Sequence, residues 1–243
     1  MESGAVLSKY GYNPAWRDPS FRSWDAGYNS ASREAVAYFM DPRNHVNDKK
    51  IFQFFSAKYD ESTQNLKAVQ DVLGSSSMNP QAFLDGGGTN TSAVFLAAKA
   101  MIESGGGRST LAIGTVKGYE GWHNVYGINA TDGNAAVNGA KMAQSKDWNS
   151  QDAAIIGGGQ WIYENYVQSG QDTLYSMKWN YQGYLNNNKV THQYATHIKD
   201  AYNKADKFSN GLGGIEAPFV FRIPVYNNMP DAISAEPVSA SKR

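Results

Sequence analysis

Hydrophobic positions repeat at helical spacing in several blocks, separated by polar or glycine-rich stretches. From Ser32 the pattern predicts a helix: Val36, Phe39 and Met40 share a face, and Asp41-Pro42 stops the run. A second helix is predicted over 62–73, with Leu66, Val69 and Leu73 in register. SSSMNPQAF then reads as a turn and DGGGTNT as a flexible loop. Ser92 is placed to cap a helix in which Val94, Ala97, Ala98 and Met101 recur, ending at Glu103 before Gly105-Gly106-Gly107. Residues 110–128 set Gly114, Gly118, Gly121 and Gly127 among β-branched and aromatic residues, and read as short strands and turns. Helices resume near 134–144 and at 151–168, where Ile155, Ile156, Gly159, Ile162, Tyr163 and Tyr166 form a wide apolar stripe ended by Gly170. A last long helix is expected at 192–206, and FVFRIPVY at 219–226 reads as a terminal strand or extended segment. The first thirty residues look aromatic and irregular. Together these predict a mainly helical α+β fold with a small β lobe inserted at its centre.

Composition narrows the chemistry. The 243 residues include 15 Tyr, 10 Phe and 6 Trp, enough for a sizeable core. Charged residues make up 18%, below the roughly 25% of an average soluble domain. The 22 basic and 22 acidic residues cancel, which argues against a nucleic-acid surface driven by net charge. Asn, Gln, Ser, Gly and Tyr replace the missing charge, a mix suited to a neutral, sugar-like ligand. The absence of cysteine removes disulfides, thiolate nucleophiles and cysteine metal sites; it fits export from a cell that avoids disulfides and is equally compatible with cytosol. No apolar stretch approaches the roughly 18 residues of a membrane span. MESGAVLSKYGYNP lacks a classical signal pattern, and PDAISAEPVSASKR reads as the start of a linker. The expected organisation is an N-terminal segment (1–30) packing on one domain (31–230), then a linker-like tail (231–243), the whole cut from a longer chain.

Glu103 stands out. It closes an apolar helix, and burial on one side disfavours a charged carboxylate, which is what a general acid needs near neutral pH. The glycines after it let a bulky polymer approach the backbone. From spacing alone, an exposed helix-end Glu is the competing reading. Other chemistries fall away. His192 and His197 lack an HExxH arrangement, no GxSxG is present, and GGGQW at 157–161 lacks the lysine of a phosphate loop. Those glycines read as a close helix–helix contact. In MDPRN, Arg43 reads as structural, holding carbonyls or a carboxylate.

Several strings recur in one order: MDPRN at 40–44, MIESGGGRSTLAIG, HNVYGI, IIGGGQWIYENYVQSGQDTLYSMKWN, HQYATHI and the closing FVFRIPVYNNMP. On these the chain resembles the catalytic domain of bacterial endo-β-N-acetylglucosaminidases, family 73 of the glycoside hydrolases, especially in autolysins of clostridia and related Firmicutes. The resemblance spans residues 30 to 230. It implies a lysozyme-like α+β fold with a small β lobe flanking a groove. The implied activity is hydrolysis of the β-1,4 bond from N-acetylglucosamine to N-acetylmuramic acid in peptidoglycan glycan strands, with no metal or organic cofactor. A muramidase, a lytic transglycosylase or an inactive wall-binding module on this fold are the rivals.

Carried over by position, Glu103 matches the catalytic acid, and Tyr194 in HQYAT matches a tyrosine beside the reaction centre. The second carboxylate is sought at Glu120, in KGYEGWHN, or Asp132, in INATDGN, where Asp132 could equally cap a helix. The sugar's own acetamido group is the third possibility. Trp122, Asn124, Tyr126 and Gly105 are expected at the substrate, with Asn124 and Tyr126 on the groove floor. His123 replaces the more usual aromatic, and Trp122 stands beside it to compensate. The implied setting is the cell wall of a secreting bacterium. There the chain would be a monomeric catalytic domain joined to wall-binding repeats, with neither nucleic acid nor membrane as partner.

Overall fold

Several helices begin where the sequence supplies a side-chain cap. The computed structural model describes residues 6–7, 12–22, 29–62, 64–130, 133–187, 192–215 and 218–238. The helices are α1 (Arg33–Met40), α2 (Leu66–Leu73), α3 (Pro80–Gly87), α4 (Ala93–Glu103) and α5 (Ala135–Ser145). After them come α6 (Gln151–Asn165), α7 (Leu174–Trp179), α8 (Tyr181–Asn187) and α9 (Asp200–Leu212). The Ser32, Ser92 and Ser150 hydroxyls accept amide hydrogens from Ala35, Phe95 and Ala153, each three residues on. Thr173 and Ser176 form a reciprocal capping box at α7.

The chain divides into two compact units. The first takes the described residues within Met1–Phe54, Thr173–Ser209 and Phe221–Arg243. It holds a three-stranded antiparallel sheet in the order β1 (Val6–Leu7), β3 (Asn29–Ala31), β2 (Arg17–Arg22). Val6 pairs with Ser30 and Arg17 with Ala31, and the register shifts between Arg17 and Arg22. Its core gathers Leu7, Trp16, Phe39, Phe54, Tyr175 and Trp179, with the Trp16 and Phe39 rings edge-to-face at 5.2 Å. The Tyr175 hydroxyl donates to the Met40 carbonyl at the end of α1. Arg43 grips Asp41 through Nε and Nη2 at 2.9 and 2.8 Å, the structural role expected of it.

The second unit takes the described residues within Phe55–Asp172 and Asn210–Val220. Residues 93–100 of α4 are all buried, so α4 is its central helix, with α2 and α3 packed on it. Helices α3 and α6 approach closely because glycines face each other. A Cβ at Gly159 would lie 2.9 Å from the Gly86 carbonyl oxygen, and one at Gly86 would lie 3.0 Å from the Ile155 carbonyl oxygen.

The mainly helical α+β class is the one observed, but several segments differ from expectation. PQAFLDGG is helix α3, not turn and loop. Asn79 caps it, Pro80 opens it, and Ala82, Phe83, Gly86 and Gly87 bury one face. Residues 110–128 carry turns and no strand, among the described residues. Positive φ at Gly114, Gly118, Gly121 and Gly127 interrupts extended pairing, and short backbone bonds such as Gly121 N–H to the Gly114 carbonyl, at 2.8 Å, fold the segment on itself. The sheet lies instead in the N-terminal stretch that reads as irregular. The last helix runs over Asp200–Leu212, not 192–206, because HQYAT is tied to α7 by side-chain bonds described below. Residues 219–226 are extended: Ser56 N–H donates to the Val220 carbonyl and Arg222 N–H to the Phe54 carbonyl, both at 2.8 Å. The tail that reads as linker is hydrogen-bonded to the first unit as far as Pro237.

Candidate active site

Glu103 is the last residue of α4, where a wholly buried helix surfaces, and its side chain is 20% exposed. One turn earlier Lys99 has a side chain only 1% exposed, with Nζ 3.3 Å from Glu103 Oε1. Ser104 closes the turn that follows. Its hydroxyl donates to the Ala100 carbonyl at 2.5 Å and accepts from Gly107 N–H at 2.7 Å. Gly105, Gly106 and Gly107 take φ of +61°, +76° and +82°, a left-handed path that side chains rarely adopt. Nothing lies within 4 Å of where a Cβ on Gly105 would stand, so the backbone beside the carboxylate is open to a large ligand.

The 110–128 segment is bound to this turn. Gln151, at the start of α6, donates from Nε2 to the Gly107 and Ala112 carbonyls at 3.2 and 3.3 Å. His123 Nδ1 contacts the Ala112 carbonyl at 2.9 Å, and its ring fills the space a Cβ on Gly114 would occupy. His123 therefore braces the loop. Glu120 is exposed at its tip. It accepts from Gly118 N–H at 3.0 Å, and backbone hydrogen bonds, that one first, hold its carboxyl below the usual range. Trp122 is half-buried.

Two expected contact residues require correction. Asn124 is buried, donating to the Ile128 and Gly139 carbonyls at 2.8 and 3.1 Å and accepting from Ile128 N–H. Tyr126 is fully buried, its hydroxyl donating to the Ile155 carbonyl and its ring lying over Gly158. Both hold the loop from inside, so neither reaches a sugar as placed. Asp132 lies outside the described residues. Helix α5 is preceded by Asn134, whose side chain makes no capping bond.

Tyr194 belongs to the first unit, on a non-helical stretch, and is half-buried. Its amide donates to the Met177 carbonyl at 2.9 Å. Buried Lys178, on α7, donates to Gln193 Oε1 at 2.9 Å and to the Thr196 carbonyl at 3.1 Å, fixing the stretch on both sides of the phenol. The Tyr194 ring centre is 4.8 Å from Lys204 Nζ, and Lys204 lines a cavity of about 490 Å³ with Trp16, Lys199, Asp200 and Lys207. Among the described residues no three His, Asp or Glu side chains gather as a metal site would require. No described helix is long and apolar enough to cross a membrane.

Sequence reading missed Lys99, Ser104, Gln151 and Lys178. A signal existed for Lys99: it is the one charge in AVFLAAKAMI, four residues before Glu103.

A beta-N-acetylglucosaminidase of Bacillus subtilis (strain 168) is 33% identical over 189 residues, covering 74% of this chain and 21% of the relative. A bifunctional autolysin of Staphylococcus epidermidis (strain ATCC 12228) is 33% identical over 238 residues, covering 91% of this chain and 17% of the relative. The chain belongs to the family of the bacterial autolysin glucosaminidases. This glucosaminidase-family chain thus spans about a fifth of the length of these two relatives. The crystal structure of S. aureus autolysin E matches with a TM-score of 0.64 at 24% identity, covering 92% of this chain and all of the other. The two share a fold, consistent with the lysozyme-like class expected from the sequence. No family model matches the chain.

Proposed function

We propose that the chain is a glycoside hydrolase. It cleaves the β-1,4 bond between N-acetylglucosamine and N-acetylmuramic acid in peptidoglycan glycan strands, with Glu103 as general acid. One observation carries this reading. In a chain 33% identical to a beta-N-acetylglucosaminidase, the carboxylate of Glu103 stands at the end of a buried helix beside an open glycine turn. There a glycan can bring its glycosidic oxygen to the carboxyl. Glu103 donates a proton to the departing muramic acid oxygen as the bond to the anomeric carbon breaks through an oxocarbenium-like state. Water then completes the reaction, leaving N-acetylglucosamine at the new reducing end.

Glu120 is our first choice for the second group. Held in its charged form by backbone donors, it suits activating water or facing positive charge rather than donating a proton. Asp132 and the substrate's acetamido group remain the alternatives. A separation of about 5 Å between the two carboxyl groups in the working enzyme would favour retention, and about 6.5–9.5 Å inversion. Tyr194 is assigned to the acetamido group and Trp122 to stacking on a sugar face. The catalytic portion is placed within residues 31–230, working at the cell wall outside the cell, with wall-binding modules elsewhere in the whole protein.

The test is digestion of purified peptidoglycan by the wild type and by Glu103→Gln, followed by reduction and mass spectrometry. Reduced N-acetylglucosamine ends are expected from the wild type, and none from the variant. Reduced muramic acid ends would make it a muramidase, and anhydro sugars a lytic transglycosylase. Binding without cleavage by the wild type would refute the enzymatic reading.

A further inference from the structure

The ion pair between Lys99 and Glu103 has features that helix stability does not explain. Lysine preceding glutamate by four residues is the less favourable order for an i,i+4 pair, and an exposed lysine would serve a surface pair as well. Burying an ammonium costs free energy unless it is paired and hydrogen-bonded. Yet Lys99 lies 1% exposed in a run of Ala, Val, Phe, Leu and Met, with Nζ 3.3 Å from Glu103 Oε1. Glu103 in turn stands at the C-terminal end of α4, where the helix dipole disfavours a negative charge. A cation beneath it offsets that penalty and limits the carboxyl's rotamers.

We propose that Lys99 is a positioning residue for Glu103, holding the carboxyl toward the open face of the glycine turn and stabilising the carboxylate left after proton transfer. The inference rests on the reading of Glu103 as the acid. In the step concerned, the Glu103 proton passes to the glycosidic oxygen and the C–O bonding pair leaves with that oxygen. A carboxylate remains beside the Lys99 ammonium. The charged groups of the helices packed on α4 sit on exposed positions. Lys67 and Asp71 of α2 pair with each other at 2.5 Å, and Asp85 of α3 accepts from Gln81 at 2.9 Å. Arg108, in the glycine turn, is also exposed.

The experiment compares wild type, Lys99→Met, Lys99→Arg and Glu103→Gln on soluble glycan fragments, with kcat and KM followed against pH. NMR titration follows the Glu103 carboxyl carbon and the Lys99 Nζ nitrogen. Lys99→Met is expected to lower kcat by about tenfold with KM little changed. The alkaline limb should move up by about one pH unit, because the acid loses a neighbouring cation. Lys99→Arg should restore most of kcat. In the wild type the Lys99 nitrogen should report the titration of the Glu103 carbon. Wild-type kcat and pH limb in Lys99→Met would overturn the proposal. Should that variant fail to fold, a Lys99 nitrogen blind to the Glu103 titration would overturn it in the wild type alone. Cleavage by Glu103→Gln would sink the acid reading itself, whatever the spectra show.

Discussion

Asp41 carries a strongly held carboxylate in the first unit. The Arg43 guanidinium, first, and the amides of Ser234 and Arg43 hold its carboxyl down to about 2, against burial that pushes the other way. The ordinary value is 3.8, so the folded chain binds fewer protons than the unfolded one between these limits. The stabilisation is therefore fully present above about pH 4 and lost as pH falls through about 2. It amounts to about 2 kcal/mol at neutral pH. Asp41→Asn should lose about that much in urea unfolding at pH 7, and the difference from wild type should shrink toward pH 2. Equal losses at both pH values would show that the ion pair is not the source. At this scale the sequence was informative for Arg43, because its partner lies two residues away. For Tyr126 it was not: its burial comes from Gly158, thirty-two residues on, which leaves room for the ring.

Between elements, the α3–α6 contact sets how closely the second unit packs. The glycines in GGGQW read as a packing device because they interrupt an otherwise apolar helical pattern. The partner of Gly159 was hidden, since Gly86, in DGGGT, resembles a loop residue when taken locally. The Asn79 cap and Pro80 mark where that helix starts, and its buried face carries it through the glycines. Gly159→Ala would put a methyl carbon 2.9 Å from the Gly86 carbonyl oxygen, a rigid backbone atom. The variant should cost about 1–3 kcal/mol in denaturant unfolding. Gly211→Ala, in α9 with nothing within 4 Å, should be neutral or stabilising by contrast. Equal effects would mean that helix propensity, not the close contact, governs both. The start of α9 was misjudged for a related reason. HQYATHI has helical spacing, but Lys178 and the Met177 carbonyl claim its backbone and side chains.

Across the whole chain, the C-terminal stretch closes the first unit over large sequence distances. Arg43 donates from Nη1 to the Pro230 carbonyl at 2.9 Å and from Nη2 to the Ala232 carbonyl at 3.2 Å. Asn44 donates to the Ser234 carbonyl at 2.8 Å, Ser234 N–H donates to Asp41, and Asn13 donates to the Pro237 carbonyl. Ending the chain before Pro230 should cost about 3 kcal/mol, at a net of roughly 0.5–1.5 kcal/mol per hydrogen bond. Chemical denaturation of the shortened chain measures this; an unchanged midpoint would mean that the stretch only rests on the surface. Its Pro, Ala and Ser composition reads as linker because the bonds use backbone atoms, which leave no side-chain pattern.

Local rules were enough for the features that act within one helical turn. Ser32, Ser92 and Ser150 cap helices three residues ahead, apolar stripes mark buried faces, and Glu103 ends a helix where glycines begin. The ordered motifs also announced the family. Tertiary structure alone decided the N-terminal sheet, the turns of 110–128, and the burial of Asn124 and Tyr126. These depend on desolvation and on hydrogen-bond partners far along the chain. A sequence window records which groups are present, whereas the free energy of burying a charge or an amide depends on what the rest of the fold brings against it.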